Sequence, residues 1–212
     1  MRRSLGAALL AVAVTVSACG EDRDAALDDV PPTPSFGLLT DARLASTNAA
    51  TPWGDATGAP QLASRMYPAM YVPGPAGQMV PNSDLIHAEY YTSDAEHPGA
   101  HVDFKITDQA KFADGIPVTC DDFLLSYTAG LLSQTFESHL PLVADIAAME
   151  CAPESKEFTV WFNPDSGSRW RYLFGPGTVL PAHAIAHRSG MSVEELNAAC
   201  LLYTSPSPRD KR

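Results

Sequence analysis

The stretch Lys111-Phe-Ala-Asp-Gly-Ile-Pro-Val-Thr-Cys-Asp-Asp-Phe123 contains a turn followed by a helix start. Asp114-Gly115 marks the turn, because Asp bonds its own backbone locally and Gly accepts conformations other residues resist. Thr119-x-x-Asp122 approximates a capping box, with the Asp122 carboxylate at the third helical position near the positive end of the helix. Val118 and Phe123 occupy the two positions of a hydrophobic staple, and Cys120 falls on the first residue of the helix. Beyond it, Phe123, Tyr127 and Leu131 share one helical face, with Leu124 beside them.

Working outward, His101 to Ile106 alternates, with Val102, Phe104 and Ile106 on one face and His101, Asp103 and Lys105 on the other. That is the pattern of a half-buried strand. Glu157 to Phe162 alternates in the same way through Phe158, Val160 and Phe162. Leu62, Met66 and Met70 predict a helix over Pro60 to Tyr71, with Pro60 suited to its start and Pro68 ending or kinking it. Val72 to Gly77 is a turn cluster, and Ser192-x-x-Glu195 opens a further helix. His97 and His101 flank Pro98-Gly99, which reads as a loop. Strands and helices alternate without a βαβ period or an internal repeat, so the fold class is mixed α/β.

The chain has 212 residues, 45% hydrophobic and 18% charged, enough apolar material to bury a core. Its net charge of −11 excludes a nucleic-acid binder, which needs a basic face toward phosphates. No internal apolar run reaches the roughly 18 residues of a membrane span, which excludes a polytopic membrane protein.

Both ends read as something other than fold. Arg2 and Arg3 followed by the apolar stretch Leu5 to Val16 form an export signal, and Val16-Ser17-Ala18-Cys19 resembles a bacterial lipobox. The expectation is a signal peptide over residues 1–18 and a lipid anchor on Cys19, the alternative being an ordinary signal peptide cut after Ala18. Residues 19–35, acidic and then rich in Pro31, Pro32 and Pro34, read as a flexible tether. Residues 200–212 resemble a translated transposon-end sequencing adaptor, and the expectation is that they are an artefact and no part of the fold. Of four cysteines, Cys120 and Cys151 then remain, and in an exported chain two cysteines read as one disulfide. Its loop would stabilise the fold by roughly 3–4 kcal/mol in the chain-entropy model.

The motif Phe112, Gly115, Pro117, Thr119, Asp122 and Phe123 resembles the signature of family 5 extracellular solute-binding proteins, the peptide- and nickel-binding lipoproteins of ABC importers. Tyr67-Pro-Ala-Met70, Gly74 to Gly77 and Val80-Pro-Asn82 upstream are similar to the segment that opens such proteins. Downstream, Trp170 to Phe174 and Leu180 to His183 are similar to the return into their first domain, and the cysteine pair resembles actinobacterial members. The resemblance covers about residues 36–199.

It implies the N-terminal part of a two-lobed, type II periplasmic-binding-protein-like fold with the extra subdomain of the peptide-binding class. Residues 36–78 and 179–199 would belong to lobe I, and residues 79–178 would form its inserted subdomain, with the second lobe missing. Asp55, Thr57 and Gly58, before the first helix, and Phe136 to His139, after the signature helix, would lie near the ligand cleft. The implied partners are a peptide or small-solute ligand, ABC permease and ATPase subunits, and a membrane reached through the lipid anchor on the outer face of the cytoplasmic membrane. No nucleic acid and no cofactor are expected.

Other chemistry-bearing residues lack the company a reaction needs. His183 and His187 stand at zinc-pair spacing but without the Glu of HExxH, so a solvated or capping role is expected and a metal is not. Asp121 and Asp122 fit a helix N-terminus better than an acid/base pair. Ser64, Ser126 and Ser138 lack a GxSxG context, and no phosphate-binding glycine loop occurs. Trp161 and Trp170 read as core. The expected function is therefore a lipid-anchored binding protein and not an enzyme. The alternatives are an exported metal-dependent hydrolase using His183 and His187, or a peptide-sensing lipoprotein without transport.

Overall fold

Alternating apolar residues in two strands build the central layer of the molecule. In the computed structural model, which describes residues 37, 43–93 and 99–197, β4 (His101–Ile106) and β6 (Glu157–Phe162) pair antiparallel. Val102 lies opposite Val160 and Phe104 opposite Phe158, with the two rings 4.7 Å apart. β3 (Ile86–Tyr91) extends the sheet on the β4 side and β5 (Ile146–Cys151) on the β6 side, giving the order β3-β4-β6-β5. Every neighbour is antiparallel, so one face can bury its apolar residues while the other stays wet. His101 opens β4, as the alternation over His101 to Ile106 places it, and not the loop of its Pro-Gly neighbours, while His97 lies outside the described residues. The leader over residues 1–18, the tether with Cys19 and the tail over residues 200–212 also lie outside them.

α3 (Cys120–Leu131) begins where the capping pattern places it, with the Thr119 N–H donating to Asp122 Oδ2 at 2.9 Å. Val118 and Phe123 are both buried in the main core, as a hydrophobic staple requires. The Phe123 ring sits 4.9 Å from Phe158 and 5.2 Å from Phe174, joining helix, sheet and the later loop. The apolar face ends one turn early, since Leu131 is exposed. The Cys120–Cys151 disulfide forms, tying the first residue of α3 to the last of β5.

The helix expected over Pro60 to Tyr71 is shorter. α1 (Pro52–Ala56) and α2 (Ala59–Met66) are separate, and α2 stops because the residue before Pro68 is held extended, with Tyr67 just outside the helix at φ −117°, ψ 148°. Met66 is exposed, whereas Met70 is fully buried beyond the helix end. The buried side of α2 is Ala59 and Ala63, not the Leu62–Met66 stripe. Gly177 has to lack a side chain there, since a Cβ on it would lie only 2.4 Å from that of Ala63. The turn cluster connects β1 (Tyr71–Pro73) to β2 (Met79–Pro81) as an antiparallel hairpin.

α4 (Ser133–Phe136) follows α3, and α5 (Ala182–Ser189) packs against it. Residues 193–197 form a helical turn whose start is the expected box, Ser192 N to Glu195 Oε2 at 2.8 Å and Glu195 N to Ser192 Oγ at 3.0 Å. The main core runs from Met70 to Val179 through the sheet, and a smaller one joins α3, α5 and Leu196.

Candidate functional site

A cleft of about 930 Å³ opens between the loop leading into α1 and the segment that follows α3. One wall is set by local chemistry at the start of α1. The Thr51 hydroxyl accepts the Gly54 N–H at 3.1 Å and donates to Asn48 O at 2.8 Å. Gly54 permits this close turn, since a Cβ there would lie 2.0 Å from Asn48 O. The short helix therefore presents Trp53 and Asp55 to the cleft, with Trp53 66% exposed.

The opposite wall is α4 and the residues after it. Glu137 ends α4 in the left-handed region, at φ 49° and ψ 29°. Its Oε2 accepts the Trp53 indole N–H at 3.2 Å, across 84 positions of sequence. The His139 N–H donates to Ala50 O at 2.8 Å, which clamps the two walls together at the backbone. Ser133, Gln134 and Ser138 add polar groups, and among the described residues neither Lys nor Arg lines the cleft.

The structure brings together two of the expected site residues, Asp55 and His139, along this cleft. Thr57 and Gly58 sit behind its wall instead of lining it. The Thr57 hydroxyl donates to Trp53 O at 2.7 Å and accepts the Ala45 N–H at 3.1 Å, while Gly58 turns the chain from α1 into α2 at φ 87°. Phe136 is exposed on α4, outside the lining residues. Trp53 escaped the sequence reading, while Glu137 falls inside the expected stretch Phe136 to His139. Trp53 belongs to no motif, and its link to Glu137 exists only once the chain is folded.

Two other places hold charged groups and spend them internally. The carboxylate of Asp122 accepts the N–H groups of Thr119 and Ala182, and that of Asp121 accepts Glu154 N–H at 2.7 Å and Asn197 Nδ2 at 2.8 Å. Burial pushes the Asp122 carboxyl up to about 6 against the pull of those hydrogen bonds. The pair fastens later segments to the start of α3. His183 Nε2 lies 2.9 Å from Asp114 Oδ2, and this contact holds the Asp114 carboxyl below its usual range. Among the described residues no group of three or more His, Cys, Asp or Glu is placed to hold a metal ion.

The outer face of the sheet carries a shallow depression of about 610 Å³. Its charges pair along the surface, Lys105 with Glu157 at 3.0 Å and the Thr159 hydroxyl with Asp103 at 2.7 Å. Beside it Tyr91, His101 and Trp161 stack in a row, at 4.6 and 4.3 Å between centroids. Trp170 is buried, edge-on to Tyr71 at 5.3 Å, and serves as core.

No family model matches the chain. Uncharacterized lipoproteins of Mycobacterium tuberculosis and Mycobacterium bovis are 31% identical to it over 198 residues, covering 90% of this chain and 32% of each relative. One from Mycobacterium leprae is 30% identical over 164 residues, covering 74% of this chain and 28% of the relative. The chain thus spans about a third of the length of the curated relatives it matches. Among solved structures, a periplasmic EDTA-binding protein superposes with a TM-score of 0.55 at 19% identity, over 72% of this chain and 28% of that one. The fold is that of part of a periplasmic binding protein, mixed α/β in class.

Proposed function

We propose that this chain is the N-terminal part of a lipid-anchored solute-binding protein that delivers a peptide or similar small solute to an ABC permease and its ATPase. The observation that carries the reading is the walled cleft beside α1 on a fold shared with a periplasmic binding protein. A cleft of that size, with an exposed aromatic residue and a few convergent polar groups, is what ligand recognition uses.

In this reading residues 36–78 and 179–199 belong to lobe I and residues 79–178 to its inserted subdomain, with a second lobe closing over the ligand. Asp55 and His139 face the ligand, Thr57 and Gly58 hold the helix that presents Asp55, and Phe136 lies at the rim. Cys19 carries the lipid that keeps the protein on the outer face of the cytoplasmic membrane. The reading requires no bond-making step. Its support is that Asp121, Asp122, Asp114 and His183, the acid and histidine groups weighed as chemistry, are committed to partners within the fold.

The test is to purify the exported protein under gentle conditions, denature it, and identify what is released by mass spectrometry. A stoichiometric small solute, bound again on refolding and retained unchanged, is the expected result. Release of a chemically altered product after incubation with peptides would replace the receptor with an enzyme.

A further inference from the structure

We propose that the cleft selects for positive charge, seating an ammonium or guanidinium group against the Trp53 indole between Asp55 and Glu137. The inference rests on the solute-binding reading above and names the class of solute.

Three observations converge on it. The first is the aromatic surface. Trp53 leaves 66% of its surface in water although the fold has other ways to bury an indole, as Trp170 shows. A large aromatic held out in a cleft is a surface for a ligand, and an indole is the best of the side-chain rings for a cation. The second is charge. Asp55 and Glu137 line the same cleft, and among the described residues no Lys or Arg does. An anionic ligand would face two carboxylates with no fixed cation among the described residues to offset them, while a cation is attracted by both. The ligand charge inferred is thus opposite to that of EDTA, after which the similar periplasmic protein is named; at 19% identity that likeness concerns the fold.

The third is preorganisation. The indole N–H is bonded to Glu137 Oε2, so ring and carboxylate are held together before any ligand arrives. Thr51 caps the helix beneath Trp53, and His139 N–H fixes the opposite wall to Ala50. The Trp53–Glu137 pair therefore has less side-chain freedom to lose on binding. The net charge of −11 adds a long-range field that draws cations toward the protein.

The experiment uses the purified chain and three peptides of equal length, trilysine, trialanine and triglutamate, titrated by calorimetry and by tryptophan fluorescence. Trilysine is expected to bind roughly tenfold or more tighter than trialanine, with triglutamate weakest. Asp55→Asn and Glu137→Gln are each expected to weaken trilysine by roughly fivefold or more and to leave trialanine unchanged. Glu150→Gln, which removes a charge from the exposed surface of β5, is expected to change neither, separating the cleft from the general field. Circular dichroism confirms that each variant is folded.

Equal binding of all three peptides, or tighter binding of triglutamate, overturns the charge preference and leaves the solute-binding reading standing. Trilysine binding that survives both cleft variants overturns the site. Binding of none of the three overturns the cation preference, and the solute-binding reading is then decided by the solute released from the exported protein.

Discussion

Asp122 Oδ1 accepts the backbone N–H of Ala182 at 2.8 Å, joining the first turn of α3 to the first residue of α5 across 60 positions of sequence. The same side chain caps α3 through Thr119, so one carboxylate closes a helix end and a tertiary joint. Only 2% of Asp122 is exposed, and that burial gives the joint a pH dependence.

Burial raises the Asp122 carboxyl from 3.8 to about 6. The folded protein therefore holds this proton more tightly than the unfolded chain. Its contribution favours folding most below pH 4 and is lost as the pH rises through 6, by about 3 kcal/mol in all. Asp122→Asn does not titrate. Measured by urea denaturation, the variant is expected to gain on the wild type by up to about 3 kcal/mol between pH 4 and pH 7. A stability difference independent of pH would show that Asp122 ionises as freely in the fold as in the unfolded chain.

The disulfide between Cys120 and Cys151 closes a loop of 31 positions and anchors α3 to β5. Replacing both cysteines by serine is expected to lower stability by roughly 3–4 kcal/mol, read as an earlier urea midpoint with a steeper slope, since the unbridged unfolded chain exposes more surface. An unchanged midpoint would mean that the buried contacts around Cys120 hold the joint without the bond.

Gly54→Ala tests the wall of the cleft. A Cβ at this position would meet Asn48 O at 2.0 Å, so the turn before α1 must open. The expected cost is about 1–3 kcal/mol of stability, with a shift of tryptophan emission as Trp53 moves off Glu137. Wild-type stability and emission together would show that the turn is loose and the cleft is not prearranged.

Phe123 is fully buried and meets both Phe158 and Phe174. Phe123→Ala is expected to cost about 3–5 kcal/mol, while Leu131→Ala, exposed on the same helix, stays within about 0.5 kcal/mol of the wild type. Comparable losses in the two variants would place the apolar face of α3 one turn further along.

Local signals were legible where the chemistry is local. The alternation of Val102, Phe104 and Ile106 and of Phe158, Val160 and Phe162 gave two strands with their buried faces, because side chains in a strand point to opposite sides in turn. The Thr119 and Ser192 boxes gave two helix starts, because a cap needs partners only three residues away. Periodicity failed at Met66 and Met70, where the backbone constraint of Pro68 outweighed the apolar spacing.

The sequence by itself determined the mixed α/β class, the turn and capped helix at residues 111–123, and the cysteine pair that closes on it. Only the tertiary structure decided the cleft. Asp55 and the stretch Phe136 to His139 were expected near a ligand, but nothing in their spacing shows that Asp55, Glu137 and His139 line one cleft together with Trp53. That neighbourhood depends on one indole hydrogen bond and one backbone hydrogen bond between distant segments. Such bonds form only after the core has fixed the path of the chain, since the entropy of closing a long loop is recovered by burial elsewhere.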